Sequence, residues 1–213
     1  VASKDETYSS YPSDPSKGLF LRELYTEFYG LPFAPKSTVW AGKRFYGRDD
    51  IHINDFYWRI MDGTGAGIMN VPAGPGVLDL AWICTTTDKT DDWAIIADKG
   101  QVVQKNLDVR YKGVKALGGE FEVELTPSFL TEKKADGMAD SGMQGALVYS
   151  RADFFGAVAG SSKVAVQYGT GAGAAVGESA GPWMYKDAEQ LRVIAWGVAD
   201  ISENLKVSPS VVY

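Results

Sequence analysis

Residues 40–58 bring charged side chains and aromatic rings together at unusual density. The stretch reads WAGKRFYGRDDIHINDFYW. A hydrophobic core would not contain so many charges, because an unpaired charge is costly to remove from water. A plain surface loop would rarely contain so many rings. Its charged or titratable members include Arg44, Arg48, Asp49, Asp50, His52 and Asp55, and its rings include those of Phe45, Tyr46, Phe56, Tyr57 and Trp58. The stretch therefore indicates a surface on which charges and rings act together.

The other motifs that could carry chemistry do not fit their surroundings. Residues 177–181, GESAG, match G-x-S-x-G, the strand-to-helix turn that presents the nucleophile of α/β-hydrolases. That turn needs an acid and a histidine downstream, but the single histidine, His52, lies far upstream. GTGAG at 63–67 and at 169–173 does not complete G-x-G-x-x-G. The sequence therefore predicts that the chain is not an enzyme.

The composition excludes further classes of function. The chain has 213 residues with 21 Lys and Arg against 27 Asp and Glu, and its net charge of −6 predicts no nucleic-acid partner. Cys84 and His52 are the only residues of their types, so neither a disulfide nor a zinc site is expected. No cofactor is predicted. Nothing at the N-terminus reads as a signal peptide, and no run of about 18 apolar residues predicts a membrane-spanning helix.

Apolar and polar residues alternate along much of the chain, which is typical of β-strands with two different faces. In GEFEVELT, residues 119–126, the apolar residues share one face and the glutamates share the other. The same period of two recurs often enough to predict about ten antiparallel strands. These strands are expected in residues 20–29, 38–46, 65–71, 76–84, 107–113, 119–126, 143–151, 163–169, 190–198 and 205–213.

The connections between these strands alternate between short and long. Short turns contain Pro, Gly and Ser, and Gly118-Gly119 predicts a tight hairpin. Short turns at one end and long loops at the other are typical of a transmembrane β-barrel in an outer membrane. A soluble β-sandwich also alternates, so this pattern alone leaves both folds open. The long connections are residues 47–62, 85–105, 130–142 and 169–189.

The opening stretch, extended to TVWAGKRFYGRDDIHINDFYW, closely resembles the segment of maltoporins and related sugar porins that leads into their third, inward-folded loop. Shorter matches follow the order of that family along most of the chain: LRELY at 21–25, GTGAGIMNV at 63–71, LDVRYKGV at 107–114, KVAVQYG at 163–169 and LRVIAWG at 191–197. The resemblance implies an all-β fold, part of an antiparallel 18-stranded transmembrane barrel in a bacterial outer membrane. It also implies a homotrimer, and passive diffusion of maltose, maltodextrins or related oligosaccharides.

The resemblance assigns a role to the charges and rings as well. Residues 47–62 are expected to fold into the lumen and narrow it. A pyranose has apolar CH faces and a polar rim, so rings can contact its faces while charged groups bind its hydroxyls. Each contact must stay weak enough for the sugar to move on. Position-by-position matching with the family predicts a polar track, a line of side chains that hydrogen-bond sugar hydroxyls, at Arg22, Arg48, Asp50, His52 and Asp55. The same matching predicts that Tyr57 sets the narrowest point of the channel.

Some positions depart from the pattern of the family. Ser161 stands where the family places an aromatic ring, a ring lent by a neighbouring subunit would fall near Ser10 or Tyr11, and Asp49 replaces a different residue. These departures leave the sugar open, and a sucrose-type or other oligosaccharide porin is equally consistent.

The length indicates a fragment, because 18 strands of roughly 9–11 residues with their loops need about twice this chain. We interpret residues 1–213 as a single, incomplete barrel domain from the middle of such a porin. A general diffusion porin and a soluble β-sandwich that binds carbohydrate through Tyr57 and Trp58 remain alternatives. The outward face distinguishes them, because it meets lipid in a porin and a second sheet in a sandwich. Its residues are Leu78, Leu80, Trp82, Phe121, Val123 and Leu125.

Overall fold

One antiparallel sheet forms most of the structure, a computed structural model that describes residues 23–87, 102–131, 137–179 and 185–213. In chain order the elements are β1 (Leu24–Leu31), β2 (Ala34–Arg44), β3 (Asp49–Ile51), the 3₁₀ turn η1 (His52–Asn54), β4 (Phe56–Arg59), β5 (Gly63–Ala73), β6 (Gly76–Thr87), β7 (Val102–Ala116), β8 (Gly119–Leu130), β9 (Ser141–Phe154), β10 (Val158–Gly171), β11 (Glu189–Ser202), β12 (Leu205–Val207) and β13 (Ser210–Val212). Over these ranges no helix is long and apolar enough to cross a membrane.

The strand order follows the chain. β1, β2 and β5 to β11 each pair with the next strand of the sheet, while β3 and β4 form a small sheet of their own. β12 and β13 both pair with β11, and Ser208 and Pro209 separate them into two parts of one interrupted edge strand. Among the described residues no pairing joins β1 with β12 or β13, so the sheet is open. The prediction of about ten antiparallel strands is confirmed.

Tight turns join the strands at one end of the sheet. Leu117 and Gly118 connect β7 with β8, and their φ angles of 53° and 76° lie in the left-handed region that two-residue hairpins use. The turn lies one residue before the predicted Gly118-Gly119, because Gly119 already pairs with Ala116. The long connections after β2, β8 and β10 leave from the opposite end. The predicted alternation of short and long connections is therefore confirmed where the structure describes it, and most of the predicted long connection 85–105 lies outside the described residues.

The two faces of the sheet differ in polarity. On one face Trp82, Val123 and Leu125 remain 43%, 49% and 45% exposed. On the other face Asp108 and Thr126 are fully buried, and the Thr126 hydroxyl donates to Asp108 Oδ1 at 3.0 Å. Within the described part of the chain no second sheet covers the apolar face. The described residues therefore lack the sheet-on-sheet packing of the β-sandwich alternative, and the apolar-outward, polar-inward arrangement is that of a membrane barrel.

Candidate functional site

Residues 45–62, called the crossing segment below, leave the end of β2 and lie across the polar face of the sheet. At its base Tyr46 and Met61 pack with Trp40, and Gly67 leaves the space that the Trp40 indole fills. At its far end the segment packs on β9, β10 and β11. This second cluster consists of Ile51, Trp58, Ala146, Val148, Ala165 and Ile194. Two apolar clusters therefore hold the crossing segment against the sheet.

A buried carboxylate closes the base of the crossing segment. Asp62 is fully buried and accepts hydrogen bonds from the Tyr46 amide at 2.8 Å and from Arg48 Nε at 2.6 Å. The Thr85 hydroxyl donates to the Asp62 carbonyl at 2.9 Å. Burial, and then the charge of Asp108, raise the pKa of the Tyr46 phenol, so its hydroxyl stays protonated. The two ends of the segment are thereby joined to each other and to β6.

Ion pairs fasten the middle of the crossing segment to the sheet. The Arg59 guanidinium pairs with Glu122, with Glu124 at 3.2 Å and with Asp49 at 3.7 Å. Lys163 of β10 also pairs with Asp49. Arg59 is buried and the other four are at most partly exposed, so solvent screens these pairs less than it screens surface pairs. The segment is therefore held by charges of β8 and β10 as well as by apolar packing.

A buried arginine holds the backbone of the crossing segment. Arg192 of β11 donates from Nη2 to the Trp58 carbonyl at 2.9 Å and from Nε to Gln167 Oε1 at 2.8 Å. Gln167 Nε2 donates to the same Trp58 carbonyl at 3.1 Å. Arg192 also donates to the Val176 carbonyl. One guanidinium therefore contacts two separate segments on the polar face.

Residues 172–179, called the companion segment, lie beside the crossing segment. The Ile60 amide donates to the Gly177 carbonyl at 2.6 Å, and the Ser179 amide donates to the Ile60 carbonyl at 3.1 Å. Gly177 has a φ of 80°, and a Cβ on it would lie 2.1 Å from the Trp58 carbonyl oxygen. Burial raises the pKa of the Glu178 carboxyl, and the charge of Arg192 opposes this shift. Ser179 is buried in this contact, unlike the exposed nucleophile of a hydrolase.

The exposed edge of the crossing segment presents several of the residues selected from the sequence. Asp50 and Tyr57 pair across β3 and β4, and 39% of Tyr57 is exposed. His52 is fully exposed, and its Nδ1 lies 3.4 Å from Asp50 Oδ2. Asp55 is exposed in the turn after η1, with a left-handed φ of 48°. The tip of the segment therefore exposes carboxylates, an imidazole and a phenol ring.

Arg48 connects this edge with the base. Its guanidinium carbon lies 3.4 Å from the centre of the Phe45 ring and 5.6 Å from the centre of the Tyr57 ring. Trp58 is fully buried, so the alternative in which its ring contacts sugar is wrong. Arg22 lies outside the described residues. The structure thus places Arg48, Asp50, His52 and Tyr57 together on the crossing segment.

This arrangement can bind a neutral molecule that has an apolar face and a polar rim. A partly exposed ring offers the apolar contact, a guanidinium donates hydrogen bonds and carboxylates accept them. Access of water keeps the net gain of each hydrogen bond small, so binding is reversible. Over the described ranges no group of three or more His, Cys, Asp and Glu side chains is placed to hold a metal ion.

A protein-family model described as LamB porin matches residues 2–213 of the chain. The chain belongs to the LamB porin family. Membership confirms the prediction of an antiparallel, transmembrane β-barrel fold in a bacterial outer membrane. It also confirms that the chain is not an enzyme, because LamB porins are channels.

Several curated proteins resemble this LamB porin chain along most of its length. It is 30% identical to a maltoporin of Hahella chejuensis over 221 residues, which cover 100% of the chain and 51% of the relative. It is 33% identical to a maltoporin 1 of Klebsiella pneumoniae, with 88% of the chain and 46% of the relative covered. A maltoporin of Photobacterium profundum is 29% identical, with coverages of 91% and 45%. The chain spans about half the length of the curated relatives it matches.

Three residues that hold the crossing segment in this LamB porin, Arg59, Asp62 and Arg192, were not selected from the sequence. Arg59 and Asp62 stand in the run WRIMDG, where two charges among apolar residues are a signal of paired, buried groups. Arg192 gives no comparable signal, because its contact with Trp58 joins residues 134 positions apart.

Proposed function

We propose that the chain is the middle part of an outer-membrane channel through which oligosaccharides diffuse passively. Maltose, maltodextrins or related sugars are the proposed substrates. The observation that supports this most is the placement of Tyr57, a partly exposed ring next to Asp50 in register and below the Arg48 guanidinium. The apolar outer face is proposed to meet lipid, and the whole protein is proposed to be a homotrimer.

In this proposal the crossing segment is the constriction of the channel. The Tyr57 ring contacts the CH face of a pyranose, Arg48 donates to hydroxyl oxygens, and carboxylates accept from hydroxyl groups. Because the contacts are individually weak, a sugar exchanges between neighbouring sites without being trapped. The assignment of Arg22 to the sugar-contacting residues is based on the family resemblance alone. The proposed sugar-contacting residues are Arg22, Arg48, Asp50, His52, Asp55 and Tyr57.

The test uses the complete barrel protein that contains this chain, reconstituted in a planar bilayer. Ion current is recorded while maltose, sucrose and maltohexaose are titrated. A saturable block is expected, and Tyr57→Ala should raise the half-blocking concentration by about 2- to 10-fold, since a ring contact contributes roughly 0.5–1.5 kcal/mol. Tyr168→Ala is the matched control, because Tyr168 is an exposed tyrosine on the outer face.

The outcomes separate the alternatives. Steady conductance without a block by any sugar would indicate a general diffusion porin, and the absence of conductance would contradict the channel. A block that is equally weakened by Tyr57→Ala and Tyr168→Ala would not place the site on the crossing segment. Chemical cross-linking of the same preparation in detergent tests the homotrimer, for which a band of three subunits is expected.

A further inference from the structure

A second group of rings and charges lies on the polar face, on β1 and the end of β2. The group, called the β1 cluster, consists of Tyr25, Glu27, Tyr29 and Arg44. Glu27 pairs with Trp40 in register, and Trp40 packs under the crossing segment. Directly paired residues share a face and alternate residues of a strand point the same way. Tyr25 and Tyr29 therefore face the polar side together with Glu27.

The contacts within the β1 cluster hold its members in fixed positions. Arg44 Nη1 lies 2.8 Å from Glu27 Oε1, and the Tyr29 hydroxyl donates to Glu27 Oε2. The Arg44 guanidinium carbon lies 4.5 Å from the centre of the Tyr25 ring and 5.0 Å from that of Trp40. Because Trp40 is fully buried, the cluster is built on a rigid base. Glu27 and Arg44 are mostly covered, while Tyr25 and Tyr29 remain 40% and 67% exposed.

The position of these rings is not that of the aromatic girdle of a membrane barrel. Girdle rings lie on the lipid-facing side, and here Phe28 occupies that side of β1. Pairing of another strand along β1 would use backbone groups and would leave the direction of its side chains unchanged. Exposed rings on a water-facing surface, fixed by a carboxylate and a guanidinium, repeat the chemistry of the crossing segment.

We propose that the β1 cluster is a second sugar-binding subsite on the wall of the channel. This inference rests on the proposed function. The Tyr25 and Tyr29 rings offer apolar faces, and Glu27 can accept further hydrogen bonds because an ionised carboxylate has about four acceptor positions. The subsite adjoins the constriction, since the Phe45 amide donates at 2.8 Å to Oε1 of Glu23, the residue before β1, and the Phe45 ring contacts Arg48. A sugar long enough to span both sites would contact both.

The test compares a short and a long sugar in the complete barrel protein. Block of current by maltose and by maltohexaose is compared between the unaltered protein and Tyr25→Ala/Tyr29→Ala. The half-blocking concentration of maltohexaose should rise by about 3- to 10-fold and that of maltose by less than about 2-fold, because a disaccharide occupies the constriction alone. Phe28→Ala, on the same strand but the opposite face, should leave both values unchanged. Tyr25→Phe should retain the block, because it keeps the ring.

The outcomes distinguish this inference from the proposed function. Block of the unaltered protein together with an unchanged maltohexaose response in Tyr25→Ala/Tyr29→Ala would overturn the subsite and leave the channel intact. Absence of block in the unaltered protein would overturn both. If Phe28→Ala weakened the block by maltohexaose as much as Tyr25→Ala/Tyr29→Ala does, the subsite would also be overturned. If the double variant fails to assemble, Tyr29→Ala alone leaves the Arg44–Glu27 pair in place, and an unchanged maltohexaose block there would again overturn it.

Discussion

At the scale of single residues, Arg48 has a structural contact as well as a proposed sugar contact. It pairs with the buried Asp62 carboxylate and lies over the Tyr57 ring. A loss of sugar block in an Arg48 variant therefore does not by itself assign the residue to the sugar. His52, which is fully exposed, offers a cleaner test of contact with the substrate.

We expect Arg48→Ala to destabilise the base of the crossing segment by about 1–3 kcal/mol, because Asp62 loses its guanidinium partner while it stays buried. Hydrogen exchange of the Met61 amide, which donates to the Tyr46 carbonyl at 3.0 Å, measures this change. His52→Ala is the control and should leave the Met61 amide equally protected. Equal protection in Arg48→Ala would show that the pair does not hold the segment.

Glu178 makes the stability of the contact between the crossing segment and the companion segment depend on pH. Burial raises its pKa above the ordinary value of 4.5, so the folded protein binds more protons than the unfolded chain. The stability that Glu178 contributes is therefore greatest below about pH 4.5 and decreases as the pH rises toward the higher, folded pKa. The protection factor of the Ser179 amide should decrease over this range and become nearly constant in Glu178→Gln. The same decrease in Glu178→Gln would rule out this origin.

At the scale of elements, charges of two wall strands, β8 and β10, hold the small β3–β4 sheet. Asp49 pairs with Lys163 of β10 and with Arg59 of β4. Arg59 also forms ion pairs with Glu122 and Glu124 of β8. The apolar clusters fix where the crossing segment lies, and these directional pairs fix how far it stands from the wall. The width of the proposed constriction therefore depends on wall strands that carry none of the proposed sugar-contacting residues.

A double-mutant cycle on Asp49→Asn and Lys163→Gln should give a coupling energy of about 0.5–2 kcal/mol, because both side chains are mostly shielded from water. Urea unfolding of the complete barrel in detergent provides the free energies. The pair Lys206 and Asp200 is the control, since 65% of the lysine side chain is exposed and a coupling near zero is expected. Equal coupling in both pairs would contradict a special role of Asp49.

At the scale of the whole molecule, the described part of the sheet ends at β1 on one side and at β12 and β13 on the other. A bilayer provides no hydrogen-bond partners for exposed strand edges, so membrane-spanning sheets close into barrels. The outer face also exposes apolar residues to water when lipid is absent. These features are consistent with a chain that spans about half the length of its relatives.

We therefore expect the isolated 213-residue chain to aggregate when it is refolded in water. Analytical ultracentrifugation with and without detergent measures this. In detergent the chain should stay dispersed, and added segments that supply the missing strands should reduce its tendency to associate. A stable monomer in plain water would contradict the description of the sheet as part of a larger barrel.

The sequence by itself determined the strands, their two faces and the region that carries the chemistry. Alternation of period two is a local property, and the outward residues Trp82, Val123 and Leu125 follow from it directly. Residue types at 48–57 and their resemblance to a family selected the site. Only the tertiary structure decided which charges hold the crossing segment and which way β1 faces. Pairs such as Arg59 with Glu124 and Arg192 with the Trp58 carbonyl join distant strands, so their contacts depend on sheet register rather than on local pattern.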